Sequence, residues 1–200
     1  MAEGPNYRVS FRRRRKGKTD YHSRRALVLS ESPRLVIRGT LKHMIVQVIE
    51  AKPIGDAVIA AAHSRELEKS YGWKGSCGNI SAAYLTGLLC GCRAVASGVK
   101  TSVLDLGLQF PSKGARIFAA LRGFLDAGVS VPSSKDVLPN EKRIRGEHVA
   151  AYANKLASNP EAYQRQFSTY LSKELPPEKL PEHFSSVKEK IIASFKESKS

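Results

Sequence analysis

A strongly basic stretch near the N-terminus, residues 7–25, limits what this chain can fold into. It holds seven arginines and two lysines against one acid, Asp20. It contains no apolar run that could form a core, so folding alone does not offset the entropy lost when the segment is ordered. We therefore expect an anionic partner to order this N-terminal arm, which we define as residues 1–25.

Flat rings are interleaved with the cations of the arm, at Tyr7, Phe11, Tyr21 and His22. Nucleic-acid bases stack on such rings, whereas a tail that only promotes solubility does not need them. A disordered basic tail or a localisation signal is the alternative interpretation. The combination of rings and cations favours nucleic-acid binding.

The rest of the chain is basic as well. The whole sequence has 33 Lys and Arg against 18 Asp and Glu, a net charge of +15 and a pI near 9.9. The arm carries nine cations and two acids, a net +7, which leaves +8 for the other 175 residues. Such a charge attracts RNA, DNA or an anionic membrane surface. No apolar run is long enough to span a bilayer and no signal peptide is visible, so we expect no membrane partner.

Three cysteines, Cys77, Cys90 and Cys92, are too few and too poorly spaced for a disulfide framework or a zinc site. We interpret them as small buried apolar residues in a reducing compartment. At 42% hydrophobic residues, 200 residues are enough for one domain with appendages.

Two runs rich in β-branched residues, residues 34–39 and 44–50, are separated by a short polar turn, which predicts a β-hairpin. Residues 57–62 predict a third strand, although their alanines leave a helix open. Three successive strands with short turns indicate an antiparallel meander. Residues 26–29 predict a brief helical turn before the break at Ser32-Pro33.

The next part of the chain alternates between helical and strand patterns. It predicts a helix capped by Asn79 that runs to about Ser97, a buried strand at residues 101–106, a helix from Ser112 to Gly128, and a short strand at residues 129–131. Gly87 and Gly91 cost about 1 kcal/mol each in the first helix relative to alanine. We therefore expect them to permit close packing against the sheet.

These patterns predict an α/β (α+β) fold in which the antiparallel three-strand meander is followed by α-β-α-β. The mixed sheet is then covered by at least two helices and has a parallel part reached by crossovers. We predict an extended basic arm at residues 1–25, a mixed α/β core domain at residues 26–132 and a helical C-terminal extension at residues 133–200. The extension predicts helices at residues 146–158, 159–174 and 182–195, the second opened by Asn159 and Pro160.

The motifs of common enzyme classes are absent from the sequence. It contains no phosphate-binding loop, dinucleotide fingerprint, zinc-protease motif or nucleophile elbow, and its five histidines are scattered. A ribonuclease-H-like nuclease would need several carboxylates on the central strands to hold two metal ions, but Asp105 stands alone. We therefore predict no enzymatic activity, metal site, cofactor or small-molecule substrate.

The predicted hairpin places polar groups on strands that are otherwise apolar. Because residues two apart share a face of a strand, Arg34, Val36 and Arg38 lie on one side while Leu35 and Ile37 face the core. A solvated outer face is the simpler explanation for any two of the cations. Their position just after the arm favours one continuous RNA-contacting surface.

The sequence closely resembles the 5S-rRNA-binding proteins of the large ribosomal subunit, the universal family numbered eighteen. The resemblance covers nearly the whole chain and is carried by RLVIR (34–38), KHMIVQVI (42–49), YGW (71–73), NI (79–80), AYLTGLL (83–89), VLDLGL (103–108), GFLDAG (123–128), DVLP (136–139), RGEH (145–148) and LPEHF (180–184). The long arm and the C-terminal extension are similar to the archaeal or eukaryotic form of the family, and the length of 200 residues fits the archaeal form better.

The resemblance implies a non-catalytic, cytoplasmic protein at the central protuberance of the large subunit. Its partners would be 5S rRNA, the large rRNA and neighbouring ribosomal proteins. Carried over to this sequence, the RNA-binding residues of the arm are Arg8, Phe11, Arg12, Arg13, Arg14, Arg15, Lys16, Lys18, Tyr21, Arg24 and Arg25, and those of the hairpin are Arg34, Arg38, Lys42, His43 and Gln47. Lys142, Arg143 and Arg145 are weaker candidates for a contact with the large rRNA.

Two other hypotheses stay open at the level of the sequence. A general RNA chaperone or another basic nucleic-acid-binding protein would bind many nucleic acids with little preference. A metal-dependent nuclease would lose its activity in an Asp105→Asn variant.

Overall fold

The computed structural model describes residues 4–197. Its elements, in chain order, are α1 (Arg12–Arg15), α2 (Tyr21–Leu29), β1 (Arg34–Gly39), β2 (Met44–Lys52), β3 (Gly55–His63), α3 (Ser64–Tyr71), α4 (Ile80–Ala96), β4 (Val103–Asp105), α5 (Arg116–Asp126), α6 (Glu141–Arg145), α7 (Glu147–Leu156), α8 (Pro160–Leu171) and α9 (Leu180–Glu197). Short 3-10 helices lie at Lys135–Val137 and Pro177–Lys179.

The four strands form one mixed sheet in the order β3-β2-β1-β4. β1 pairs with β2 and β2 with β3 in antiparallel fashion, and β4 lies parallel to β1 with Leu35 opposite Leu104. The predicted meander and the predicted crossover to a parallel strand are both confirmed. Residues 57–62 belong to a strand and not to a helix, because β3 pairs with β2 from Gly55 to His63, with one register shift that leaves Ile59 without a partner.

One face of the sheet forms the core. Leu35, Ile37, Met44, Val46 and Val48 are fully buried on that face, as the period-two pattern of the strands predicts. Helix α4 packs against β2 and β3, and α5 packs against β1. The sheet thus keeps one face under helices and leaves the other for the arm.

The glycines of α4 pack against α5 and not against the sheet, so the predicted neighbour was wrong. A Cβ added at Gly87 would lie 1.9 Å from the carbonyl oxygen of Ala120, and one at Gly91 would lie 2.5 Å from the Cβ of Ala127. On α5, Gly123 meets the carbonyl oxygen of Tyr84 in the same way, at 2.1 Å. The two helix backbones therefore touch where side chains normally separate them.

The C-terminal helices complete the same core. Leu180, Phe184, Val187 and Ile191 of α9 are buried in one cluster with the inner face of the sheet and with α4 and α5. The predicted helical C-terminal part is confirmed, and Asn159 caps α8 with Pro160 at its first position. The division of the chain into domains at residues 25 and 132 stays a prediction.

Several predicted boundaries shift for local reasons. Helix α5 begins at Arg116 instead of Ser112, because Gly114 adopts a positive φ of 69° that interrupts a helix. Residues 129–131 form no full strand; Ser130 makes a single parallel bridge with Thr101. The strand predicted at residues 101–106 is regular only over Val103–Asp105.

The arm is more helical than its composition predicts. Asp20 accepts a hydrogen bond from the backbone N–H of His22 at 2.9 Å, and this cap starts α2 at Tyr21. The helical turn predicted at residues 26–29 is therefore the second half of a longer helix. Four consecutive arginines form the short helix α1, which has no buried residue.

Two further helices, α3 and α6, have no counterpart in the sequence prediction. Helix α3 starts at a capping box. The ring of His63 accepts a hydrogen bond from the backbone N–H of Arg65, and the carboxylate of Glu66 accepts one from the backbone N–H of His63. Histidine is an uncommon cap, so the local sequence gives little sign of this helix start. Helix α6 has only five residues, too few for a periodic apolar pattern.

The cysteines behave as small core residues. Cys77 and Cys90 are buried, Cys92 is partly buried, and none of the three forms a disulfide. Burial raises the pKa of the Cys90 thiol to about 12, which keeps it protonated. Within residues 4–197, no helix is long and apolar enough to cross a membrane.

Candidate nucleic-acid interface

The arm lies over the outer face of the sheet and encloses a cleft with it. This cleft has a volume of about 640 Å³ and is bounded by α2 on one side and by β1, β2 and β4 on the other. Its basic lining residues are Arg13, Lys18, His22, Arg24, Arg34 and Arg38. Residues from the arm and from the hairpin, which the sequence assigns to one surface, thus do meet in space.

A chain of alternating charges fastens the arm to the sheet. Arg24 Nη2 of α2 lies 2.9 Å from Asp56 Oδ1 of β3, and Asp56 Oδ2 lies 2.9 Å from Arg34 Nη2 of β1. Arg34 Nη1 lies 3.1 Å from Asp105 Oδ2 of β4, whose Oδ1 lies 2.8 Å from Arg38 Nη2. We call these five residues the ion-pair chain. It connects one helix with three of the four strands.

The surroundings keep the carboxylate of Asp56 ionised. Burial acts to raise the pKa of Asp56, but the hydrogen bonds and charges of Arg24 and Arg34 outweigh burial and hold the pKa below its ordinary value of 3.8. Asp105 has a second function, because its Oδ1 also accepts a hydrogen bond from the backbone N–H of Gly107 at 2.9 Å. It therefore shapes the loop that follows β4.

Arg34 is buried instead of being open to solvent as the sequence predicted. Its side chain is only 3% exposed and lies between Asp56 and Asp105. A buried guanidinium needs such partners, because an unpaired buried charge is strongly destabilising. Arg34 is thus placed to support the outer face, and Arg38, with a side chain 37% exposed, is placed at its surface.

Most cations of the arm have no carboxylate partner. Among the described residues, Arg24 is the single arm cation within ion-pair distance of an acid. The others are exposed in the structure: Arg8, Arg12, Arg13, Arg14, Arg15, Lys16, Lys18 and Arg25. Their positive charge is available to an external anion.

The rings of the arm form a contact of their own. Phe11 and Tyr21 lie with ring centroids 5.0 Å apart and planes tilted by 47°. Phe11 is exposed and Tyr21 is partly buried. Arg13 Nε donates a hydrogen bond to Thr19 Oγ1 at 2.8 Å, which closes the loop of chain that connects the two rings. The rings therefore lie beside the unpaired cations.

The remaining hairpin residues lie at two places. Gln47 is partly buried and lines the cleft, whereas Lys42 is exposed in the turn between β1 and β2. His43 is partly buried beside His63, with ring centroids 5.0 Å apart. Of the hairpin candidates, Arg38 and Gln47 thus share the cleft with the arm, and Lys42 and His43 flank it.

The third predicted basic group lies elsewhere. Lys142, Arg143 and Arg145 are exposed on α6, which packs against α4 and α9 on the helical side of the sheet. Arg145 forms an ion pair with Glu141 one turn earlier in the same helix. The structure does not bring this group together with the arm.

Sequence reasoning missed Asp56 and undervalued Asp105. Both acids are single carboxylates without a local motif, and their arginine partners are 22 to 71 residues away in the chain. One weak indication was visible in the sequence: each is an isolated acid at or next to a predicted strand of a basic chain. Within the described residues, no group of three or more His, Cys, Asp or Glu could hold a metal ion.

Comparison with known proteins identifies the family. The model of the family described as "Ribosomal large subunit proteins 60S L5, and 50S L18" matches residues 5–101. The large ribosomal subunit protein uL18 of Staphylothermus marinus is 52% identical over 198 residues, which is 98% of each chain. The uL18 proteins of Ignicoccus hospitalis and Aeropyrum pernix are each 53% identical over 197 residues, covering 98% of this chain and 96% and 92% of theirs.

All three relatives are archaeal, which confirms the expected similarity to the archaeal form. Identity above 50% along almost the full length of both chains covers the arm, the sheet and the C-terminal helices together. The chain therefore belongs to the L18 and L5 family of large ribosomal subunit proteins.

Proposed function

We propose that this protein binds 5S rRNA through the arm and the outer face of the sheet, and helps to attach that RNA to the large rRNA in the central protuberance. The observation that carries the proposal is the ion-pair chain, which holds α2 on the sheet so that the unpaired arm cations and Arg38 flank one cleft. Family membership supports ribosomal RNA as the partner. The choice of 5S rRNA rests on the resemblance of the sequence.

The chain is a structural protein of the large ribosomal subunit and not an enzyme. This follows from its family, whose named members are ribosomal proteins of that subunit. Its work is therefore to bind and to position RNA and neighbouring proteins.

Phosphate neutralisation supplies most of the proposed affinity. Helix α1 places Arg12, Arg13, Arg14 and Arg15 in a single turn that has no acidic residue. Like charges at this spacing repel one another in the free protein, and phosphates remove that repulsion while counterions are released. The arm thus gains more from a polyanion than isolated surface lysines would.

Ring stacking and shape recognition supply selectivity. Phe11 and Tyr21 lie beside the unpaired cations, where unpaired bases of an RNA loop could stack on them. The cleft also contains Gln47, whose amide group can both donate and accept hydrogen bonds. These groups distinguish single-stranded or bulged RNA from a regular duplex.

The basic group on α6 is suited to a second RNA. Lys142 and Arg143 are exposed on the helical side of the sheet, so an RNA bound there does not compete for the outer face. We propose that these two residues contact the large rRNA. Arg145 is less available, because Glu141 already pairs with it.

The experiment is a binding titration of the full-length protein with 5S rRNA, in the presence of excess tRNA and at several salt concentrations. Tight binding that survives the competitor is the expected result. Loss of binding to tRNA would favour the second candidate, a general RNA-binding protein held by charge alone. The double variant Lys142→Ala/Arg143→Ala removes two exposed cations that lie away from the outer face. It should keep the wild-type affinity for 5S rRNA, which would show that a loss of charge irrespective of its position does not weaken this binding.

A further inference from the structure

Three large apolar side chains are exposed at the end of the sheet where β1 and β4 finish. Leu41, in the β1–β2 turn, is 90% exposed, and Leu108 and Phe110, in the loop after β4, are 57% and 83% exposed. We call the two segments, residues 40–43 and 106–115, the rim loops. They lie next to each other although they are more than 60 residues apart in the chain.

Hydrogen bonds hold the rim loops together. Gln109 Nε2 donates to the carbonyl oxygen of Gly39 at 3.1 Å. Arg116 Nη1, at the start of α5, donates to the carbonyl oxygens of Thr40 at 3.3 Å and Gly78 at 2.7 Å. The exposed side chains are thus presented by a braced surface and not by two independent loops.

The charged residues within the two rim loops are all positive. Neither rim loop contains an acidic residue, and Lys42 and Lys113 are exposed within them. An exposed apolar residue alone is ordinary, as Ile54 in the β2–β3 turn illustrates. What distinguishes the rim loops is that they carry a flat ring, two exposed leucines and two exposed lysines but no carboxylate of their own. A partner that combines flat apolar faces with negative charge matches this surface, and unpaired RNA nucleotides have both.

The rim loops are continuous with the cleft. The guanidinium of Arg38 packs against Gly107, where an added Cβ would lie 2.9 Å from Arg38 Cζ. Gly107 also has a positive φ of 63°, so both its space and its backbone conformation favour glycine. Arg38 therefore lies where the cleft meets the rim loops, and Leu106 and Gly107 of the second loop line the cleft itself.

We propose that the rim loops are an additional RNA-contacting site, at which Phe110 stacks on an unpaired base of the RNA held by the arm. Lys42 and Lys113 neutralise the phosphates next to that base, and Leu41 and Leu108 exclude water from the edge of the stacked ring. The proposal rests on the function proposed above, and it adds residues that lie outside the arm and outside the strands.

The test compares Phe110→Ala, Phe110→Trp and the control Ile54→Ala in the full-length protein, by titration with 5S rRNA at several salt concentrations. Loss of one stacked base lowers affinity by roughly 5- to 150-fold, so Phe110→Ala should weaken binding by that factor. Its salt dependence should stay that of the wild type, because every cation that meets a phosphate is still present. Phe110→Trp should keep at least wild-type affinity, and Ile54→Ala should change nothing.

The outcomes separate this inference from the proposed function. Wild-type binding to 5S rRNA with an unchanged Phe110→Ala affinity overturns the inference alone, and would assign the rim loops to a protein partner or to the large rRNA. Equal weakening in Phe110→Ala and Phe110→Trp overturns stacking as the mechanism. Failure of the wild-type protein to bind 5S rRNA overturns both proposals.

Discussion

The carboxylate of Asp56 lies 2.9 Å from the guanidinium of Arg24 and so joins the arm to the edge strand of the sheet. The same carboxylate also pairs with the buried Arg34. An acid in a basic RNA-binding protein normally opposes the approach of RNA by charge repulsion. Here the geometry favours the opposite effect, because this acid holds the arm where the RNA would bind.

Asp56→Asn should therefore weaken RNA binding although it makes the protein more positive. The variant removes the anchor of α2 and leaves Arg34 with one carboxylate partner in place of two. We expect a loss of about 1–3 kcal/mol in unfolding free energy, as is typical when a buried hydrogen-bonding group loses a partner. Titration with 5S rRNA and urea unfolding measure the two effects.

Glu50→Gln is the matched control for Asp56→Asn. Glu50 is an exposed acid near the end of β2 that pairs with Lys52 at 3.5 Å, and within the described residues it forms no ion pair with an arginine of the arm. Removing its charge should leave RNA affinity equal or slightly higher. If Asp56→Asn behaved like this control, Asp56 would have no part in positioning the arm.

Deletion of residues 1–18 should weaken RNA binding and reduce its salt dependence. The deletion removes seven cations of the arm but leaves α2 and its anchor at Asp56 in place. The slope of log affinity against log salt should become shallower by somewhat less than one unit for each phosphate that the deleted cations neutralise. Deletion of residues 1–6, which contain no cation, is the control, and it should keep the wild-type slope. An unchanged slope in the longer deletion would exclude the arm from the RNA.

Gly87→Ala should destabilise the protein. In most helix interiors this substitution stabilises by about 1 kcal/mol. At this position the new Cβ would lie 1.9 Å from the carbonyl oxygen of Ala120, so α4 and α5 would have to separate. Overpacking of this kind costs about 1–3 kcal/mol, which chemical unfolding resolves. A variant as stable as the wild type would show that the two helices can move apart freely.

His63→Asn should flatten the pH dependence of stability between pH 7.5 and 5. Burial, and then the nearby His43, lower the pKa of His63, while Glu66 opposes and Arg65 adds to that shift. Neutral His63 accepts a hydrogen bond from the backbone N–H of Arg65 and caps α3. Because the folded pKa lies below the ordinary 6.5, this contribution is complete above pH 6.5 and is lost as the pH falls through the folded value.

Asparagine keeps a capping acceptor without titrating in this range, which makes it the appropriate replacement. Unfolding free energies measured at half-unit pH steps should therefore fall less steeply in the variant. Some slope should remain, because burial also lowers the pKa values of His148 and His183. A variant whose profile matches that of the wild type would show that protonation of His63 does not affect the cap.

Local patterns in the sequence were enough to predict much of this fold. The alternation of residues 34–39 and 44–50 predicted a hairpin whose register places Leu35 and Ile37 in the core. Asn79 and Asn159 predicted helix starts, because a cap acts within three residues of its own position. The cations and rings of the arm were also visible directly, because an unpaired charged surface needs no tertiary information to be recognised.

Long-range pairing decided the rest. Whether Arg34 is a surface contact or a buried support depends on Asp56 and Asp105, and the latter is 71 residues away. The partner of Gly87 depends on how α5 crosses α4, and the rim loops meet only because β4 returns beside β1. Sequence patterns describe neighbours within a few residues, whereas burial and charge compensation depend on atoms that only folding brings together. The sequence by itself therefore determined most of the helices and strands and the basic arm, and the tertiary structure decided which charges are neutralised internally and which are left for RNA.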